Sequence, residues 1–191
     1  MQIGLKKSFQ AVFLFTSFFL LTSCNPLLNF GVVLKGAFYR SGQPDSDDLK
    51  YILKKAKVRT VLNLKGSTRS YEKDLARKFG ARLIHMKMNA STPPTEEQLE
   101  AYLTLLKDPK TYPLWVHCHG GADRTGVMVA IYRMEFENWS KWRAMGEMLS
   151  YFHIPAVYPE LTKYLYHYKR RYGAYEETAE EMKALARYLE K

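Results

Sequence analysis

The chain has 191 residues and two cysteines, and its 29 Lys and Arg against 19 Asp and Glu give a formal net charge of +10. That length holds one domain with a substantial core and excludes two typical ones, and no internal repeat or low-complexity tract is present. The basic balance favours capture of polyanions, with solubility and attraction to anionic envelope surfaces as the alternative account.

At the start, Lys6 and Lys7 precede an apolar stretch from Phe9 to Leu21, which runs into Leu21-Thr22-Ser23-Cys24. The stretch is shorter than the roughly twenty residues a membrane span needs, so a cleavable leader over residues 1–23 is expected. The pattern resembles a bacterial lipoprotein signal, which implies that Cys24 becomes the lipidated first residue. A free thiol after an ordinary signal peptide is the alternative. Asn25 in second place implies onward sorting to an outer membrane where the host has one, hence a lipid-anchored, periplasm-facing chain. Residues 24–36 then read as a tether and 37–191 as the domain, with Lys6 and Lys7 removed and the formal charge lowered to +8.

Residues 46–57, with Leu49, Ile52, Leu53 and Ala56 on one face, predict a helix feeding an apolar strand over 58–64. Residues 71–79 predict a second helix, stopped by Gly80, and 82–88 an alternating strand. Pro93-Pro94-Thr95 with Gln98 forms a helix start of capping-box type, and Leu99, Tyr102, Leu103 and Leu106 supply its apolar stripe. Leu114-Trp115-Val116 is a short apolar strand, residues 125–132 begin a buried helix, and Ser140 caps a helix through Ser150. Residues 176–191 form an amphipathic run with Met182, Leu185, Ala186 and Leu189 as its stripe. The Tyr-rich stretch 164–175 reads as aromatic packing rather than as a recognition surface. Alternating strands and helices give an α/β class: a central, mainly parallel sheet flanked by helices.

Between the strand at 114–116 and the helix after it lies His117-Cys118-His119-Gly120-Gly121-Ala122-Asp123-Arg124-Thr125-Gly126. Gly120 and Gly121 open backbone angles closed to other residues, so successive N–H groups from His119 to Arg124 can converge on one anion at the positive end of the following helix. Arg124 offers a planar fork matched to two phosphate oxygens. Cys118 then lies beneath that anion, where helix end, amides and Arg124 favour its thiolate. Alone, Cys118 would read as a small buried hydrophobe at a strand end.

His-Cys, five residues and Arg-Thr-Gly is the signature of the cysteine-dependent protein tyrosine phosphatase superfamily, and the chain resembles its dual-specificity branch. The resemblance extends to Phe38-Tyr39-Arg40-Ser41-Gly42-Gln43-Pro44, to residues 58–64, and downstream to Tyr132-Arg133 and Trp139-Ser140 through Glu147-Met148, covering about residues 36–160. It implies a dual-specificity phosphatase-like fold, a cysteinyl-phosphate intermediate and no cofactor or metal. A rhodanese-like loop would be shorter, and arsenate reduction would need further cysteines.

Most of that family draws its leaving-group proton from an aspartate on a loop about thirty residues before the cysteine. Here that region, 86–94, holds no carboxylate. Attention moves to Asp123 inside the cradle, placed as in some lipid phosphatases of the superfamily; a helix cap or a pair with an arginine is its other reading. Asn89 cannot donate a proton usefully, and Asp108 sits in an apparent turn. Thr125 is expected to hydrogen-bond the thiolate or to cap the next helix, His117 to fix the loop from behind, His119 to meet substrate or solvent, and Arg40 to hold loop architecture or line the rim.

Three function classes stay open: a phosphomonoesterase on inositol polyphosphates or phosphoinositides, a dual-specificity protein phosphatase, and an idle phosphate-binding module. The intact Cys118 and Arg124 argue against the last. The partners expected are a phosphorylated small molecule or phosphoprotein and a membrane reached through the lipid anchor; no nucleic-acid module is recognisable.

Overall fold

A computed structural model describes residues 27–189. Five strands, β1 (Gly31–Leu34), β2 (Phe38–Ser41), β3 (Thr60–Asn63), β4 (Arg82–His85) and β5 (Leu114–His117), form one sheet in the order β1-β2-β5-β3-β4. The β2, β5, β3 and β4 strands run parallel, whereas β1 pairs antiparallel with β2, Gly31 opposite Arg40. The mainly parallel α/β architecture expected from the alternating pattern is the one formed, as the resemblance to the dual-specificity branch also implied.

Among the described residues seven helices surround this sheet, directly or through one another: α1 (Ser46–Lys55), α2 (Ser70–Lys78), α3 (Glu96–Lys107), α4 (Asp123–Phe136), α5 (Lys141–Ser150), α6 (Pro159–His167) and α7 (Ala179–Leu189). The caps explain several starts. Asp45 accepts the Asp47 and Asp48 amides at 2.9 and 2.8 Å, Thr95 and Gln98 form a reciprocal box, and the Ser140 hydroxyl takes the Arg143 amide. Gly80 at φ +68° follows α2 as the sequence requires.

Both faces of the central strands are covered. Val61 and Trp115 point to the side covered by α1, where Leu49, Ile52 and Leu53 bury. Phe38, Leu62, Leu114 and Val116 point to the other, against Leu103, Val127, Met128, Ile131 and Leu161. Helix α4 is buried on nearly every side from Thr125 to Glu135, its apolar residues in the core, its Arg133 paired with Glu137 and Glu147 and its Glu135 with Tyr168. Tyr168 buries in this core and donates to Glu135 at 2.6 Å, so part of the tyrosine-rich stretch packs inward as read.

Two of the boundaries that differ from the sequence reading bear on the sheet. Residues 31–34, expected within the tether, are instead β1, and its alternating burial shows why: Gly31 and Val33 face the core while Val32 and Leu34 face out. The strand expected over 82–88 ends at His85, because β3 beside it ends at Asn63; only isolated bonds from the Met86 and Met88 amides to Asn63 and Leu64 continue the edge. Among the described residues, no helix is long and apolar enough to cross a membrane.

Candidate active site

Strand β5 lies in the middle of the sheet, and the loop leaving its carboxyl end runs straight into α4, the position where open α/β sheets hold ligands. Cys118 opens that loop. Cys118 is 2% exposed and belongs to the buried core cluster, while its Sγ accepts the Gly121 N–H at 3.2 Å, so the sulfur sits on the core wall with a backbone amide directed at it.

The loop's shape follows from what holds its carbonyls. The Gln43 N–H donates to the His119 oxygen at 2.8 Å, Asn29 Nδ2 to Gly120 at 2.7 Å, and Arg40 Nη2 to Gly121 at 2.6 Å. A planar trans peptide with its oxygen drawn outward turns the next N–H the opposite way. The Gly121 amide directed at sulfur is one product of that rule. Gly121 stands at φ +72°, and a Cβ there would lie 2.5 Å from the Gly42 nitrogen, so the position needs glycine for both torsion and close approach. Gly120 meets nothing within 4 Å and has no such need.

Arg40 is fully buried, with Tyr151 stacked 3.6 Å from its guanidinium. Burial pushes its pKa down to about 10, against the fields of Glu147, Tyr151 and Cys118, so it remains a cation at neutral pH. Of the two roles expected for Arg40, the loop-holding one is therefore present. Behind the loop, Glu72 is also fully buried and accepts from Gln43, from Asn63 Nδ2 at 2.9 Å and from the Arg69 amide at 2.9 Å. His117 Nε2 lies 3.6 Å from this carboxylate, and burial holds the imidazole pKa below its ordinary value despite the nearby charge. His117 thus sits behind the cradle as expected.

Asp123 begins α4, and Arg124 follows as its second residue, half-buried with Nε enclosed and without a hydrogen-bond partner. The Asp123 partner is neither an arginine nor a helix amide. His153 Nδ1 lies 2.7 Å from its Oδ1, and His153 Nε2 lies 3.0 Å from Thr162 Oγ1. Ala122 occupies the cap position.

Neither role expected for Thr125 is formed. The helix starts two residues earlier, which removes the cap, and the buried Thr125 hydroxyl has no hydrogen-bond partner, so it does not reach sulfur. His119 is exposed at the mouth. Asn89 closes an Asx turn onto Ser91 at 2.9 Å, and Asp108 caps the short 3-10 turn Pro109–Thr111, at the end of β5 opposite Cys118. Cys24 lies outside the described residues.

The sequence reading missed Asn29, Glu72, Tyr151 and His153. His153 carries no periodic signal, since it follows the end of α5 in a turn, and its partner is 30 residues away. Asn29 lay in a stretch read as tether, 91 residues from the carbonyl it holds.

Comparison with known proteins agrees with this geometry. The family described as DSP-PTPase phosphatase fused to NAD+ kinase matches residues 25–153. The chain is 31% identical over 120 residues to the protein named Probable tyrosine-protein phosphatase DG1060 of Dictyostelium discoideum, covering 60% of this chain and 70% of that one. It is 31% identical over 121 residues to Inositol diphosphatase DSP1 of Oryza sativa subsp. japonica, covering 60% of this chain and 52% of that protein. The core catalytic domain of PP-IP phosphatase SIW14 from S. cerevisiae superposes with a TM-score of 0.66 at 20% identity, over 85% of this chain and 94% of that one. With a thiol on a glycine-shaped loop, an arginine six residues on and a family match spanning both, the chain belongs to the cysteine-dependent protein tyrosine phosphatase superfamily, in its dual-specificity-like branch, and is a phosphoric monoester hydrolase.

Proposed function

We propose that this phosphatase acts on small polyanionic phosphomonoesters of the inositol polyphosphate or phosphoinositide class. The observation that carries the reading is a carboxylate inside the cradle, Asp123 held by His153, together with the likeness to a relative named an inositol diphosphatase. Inositol hydroxyls are poor leaving groups and need a proton donor close to the ester oxygen. The positive charge of the chain would add to capture of such substrates.

In the proposed cycle the Cys118 thiolate attacks phosphorus in line with the leaving oxygen. The S–P bond forms as the P–O ester bond breaks, and the Asp123 carboxyl protonates the departing oxygen. Water then attacks the cysteinyl phosphate, its proton passes to the Asp123 carboxylate, and the S–P bond breaks to release inorganic phosphate. Arg124 and the loop amides hold the phosphoryl oxygens throughout.

A dual-specificity protein phosphatase is the second reading, favoured by the relative named a tyrosine-protein phosphatase. A phosphate-release panel of inositol polyphosphates, phosphoinositides and phosphotyrosine peptides separates the two. Highest kcat/KM on a peptide overturns the first reading.

We also propose that Cys24 is lipidated and that the enzyme is anchored to the bacterial envelope, facing the periplasm. The basic, apolar and Leu-Thr-Ser-Cys sequence of residues 1–24 supports this. Growth with labelled palmitate, with Cys24→Ala as control, tests it; an unlabelled wild type overturns it.

A further inference from the structure

Exposed large apolar side chains occur at several places among the described residues, Val32, Leu34, Tyr51, Phe136, Trp142 and Tyr172 included, but five of them sit on the two segments that hold the cradle. Leu28 is more than half exposed, while its carbonyl accepts the Gly42 amide at 2.6 Å and the neighbouring Asn29 holds Gly120. Phe30 follows, also exposed. Across the mouth, the turn after α5 places Tyr151 under Arg40 and His153 on Asp123, and from this same turn Phe152, Ile154 and Val157 project outward.

Phe152 is 75% exposed at φ +66°. The Phe152 amide bonds to the Leu149 carbonyl and the His153 amide to Met148, the helix-ending turn in which glycine is the usual occupant because side chains strain there. A bulky ring set in a strained backbone and directed into water is costly twice over. Core packing does not account for it.

From this we propose that the rim formed by Leu28, Phe30, Phe152, Ile154 and Val157 seats on a lipid bilayer, so that the cradle opens at the membrane surface. The proposal rests on the Cys24 anchor reading for its occupant. Leu28 lies four positions after Cys24, and fully extended chain covers at most about 14 Å over that distance. An acyl chain on Cys24 would therefore hold Leu28 within that reach of the headgroups, and the rim beside it could insert to the depth of roughly 5–10 Å that interfacial side chains reach. The rest of this end is charged in both signs, with Lys65, Arg69 and Lys87 at the strand ends and Asp45, Asp47 and Asp48 at the start of α1. Apolar insertion rather than net charge thus carries the contact.

The test uses the full chain reconstituted into phosphatidylcholine vesicles with and without bromine on the acyl chains, a short-range quencher of tryptophan. The variant F152W, with I154W as a second reporter in case the first does not fold, is compared with L34W. Leu34 is also exposed but lies at the far end of β1. Emission above the wild-type background should fall about twofold or more on brominated vesicles for the rim reporters, whose depth would be that of interfacial side chains, and stay unchanged for L34W. Unchanged emission at the rim, or equal quenching of L34W, overturns the proposal. Palmitate labelling of the same preparations separates the two readings. Label without rim quenching leaves the anchor standing and removes the rim, and quenching without label does the reverse.

Discussion

His153 Nδ1 lies 2.7 Å from Asp123 Oδ1 while its other nitrogen lies 3.0 Å from Thr162 Oγ1, so the one carboxylate inside the cradle has its direction set by an imidazole that is itself fixed at both ends. A carboxyl free to rotate would deliver its proton to the leaving oxygen less often. His153→Ala should therefore lower kcat on an inositol phosphate roughly tenfold or more, with a much smaller effect on a nitrophenyl ester. Asp123→Asn should show the same pattern more strongly, by about a hundredfold. Steady-state rates on both substrates check this; equal slowing would assign the pair to structure alone.

Cys118→Ser removes the nucleophile and leaves the anion-binding amides and Arg124 in place. Turnover of an aryl phosphate should fall to background while sulfate binding, followed by calorimetry, persists. Retained turnover would refute nucleophilic catalysis at this position.

The two adjacent loop glycines should behave unequally. Gly121→Ala places a Cβ 2.5 Å from the Gly42 nitrogen at a positive φ and should cost about 2–4 kcal/mol together with most of the activity. Gly120→Ala meets open space and should leave urea unfolding nearly unchanged. Denaturation midpoints of the two variants decide the matter.

Burial keeps the folded-state pKa of His117 below its ordinary value near 6.5. As pH falls through that value, the unfolded chain binds a proton at this position that the folded chain does not, so stability is lost. The loss continues until the lowered folded-state pKa is reached. His117→Gln should flatten that component, and unfolding curves between pH 7 and 5 for both proteins measure it. Identical slopes would show that His117 does not contribute.

Much of this was readable from residue order, and the reasons are local. The cap at Thr95 with Gln98, the stop at Gly80 and the apolar run at Leu114 each act within a few residues, and each is found where expected. The cradle was legible because a glycine pair between a strand and a helix leaves few shapes open. What escaped is long-range. Arg40 was expected to hold the loop, but Asn29 and Gln43 fix loop carbonyls from 91 and 76 residues away, and nothing in their neighbourhoods announces it. Thr125 shows the opposite failure, since its place beside Arg124 suggested a cap that the earlier start of α4 takes away.

The Asn29 bond to Gly120 means that the chain enters the domain along the wall of its own catalytic mouth. Leu28, one residue before that bond and more than half exposed, thus stands as a doorpost of the reaction chamber. Changing its bulk is a way to screen incoming substrates by size, and so to retune selectivity, without touching one residue of the cradle.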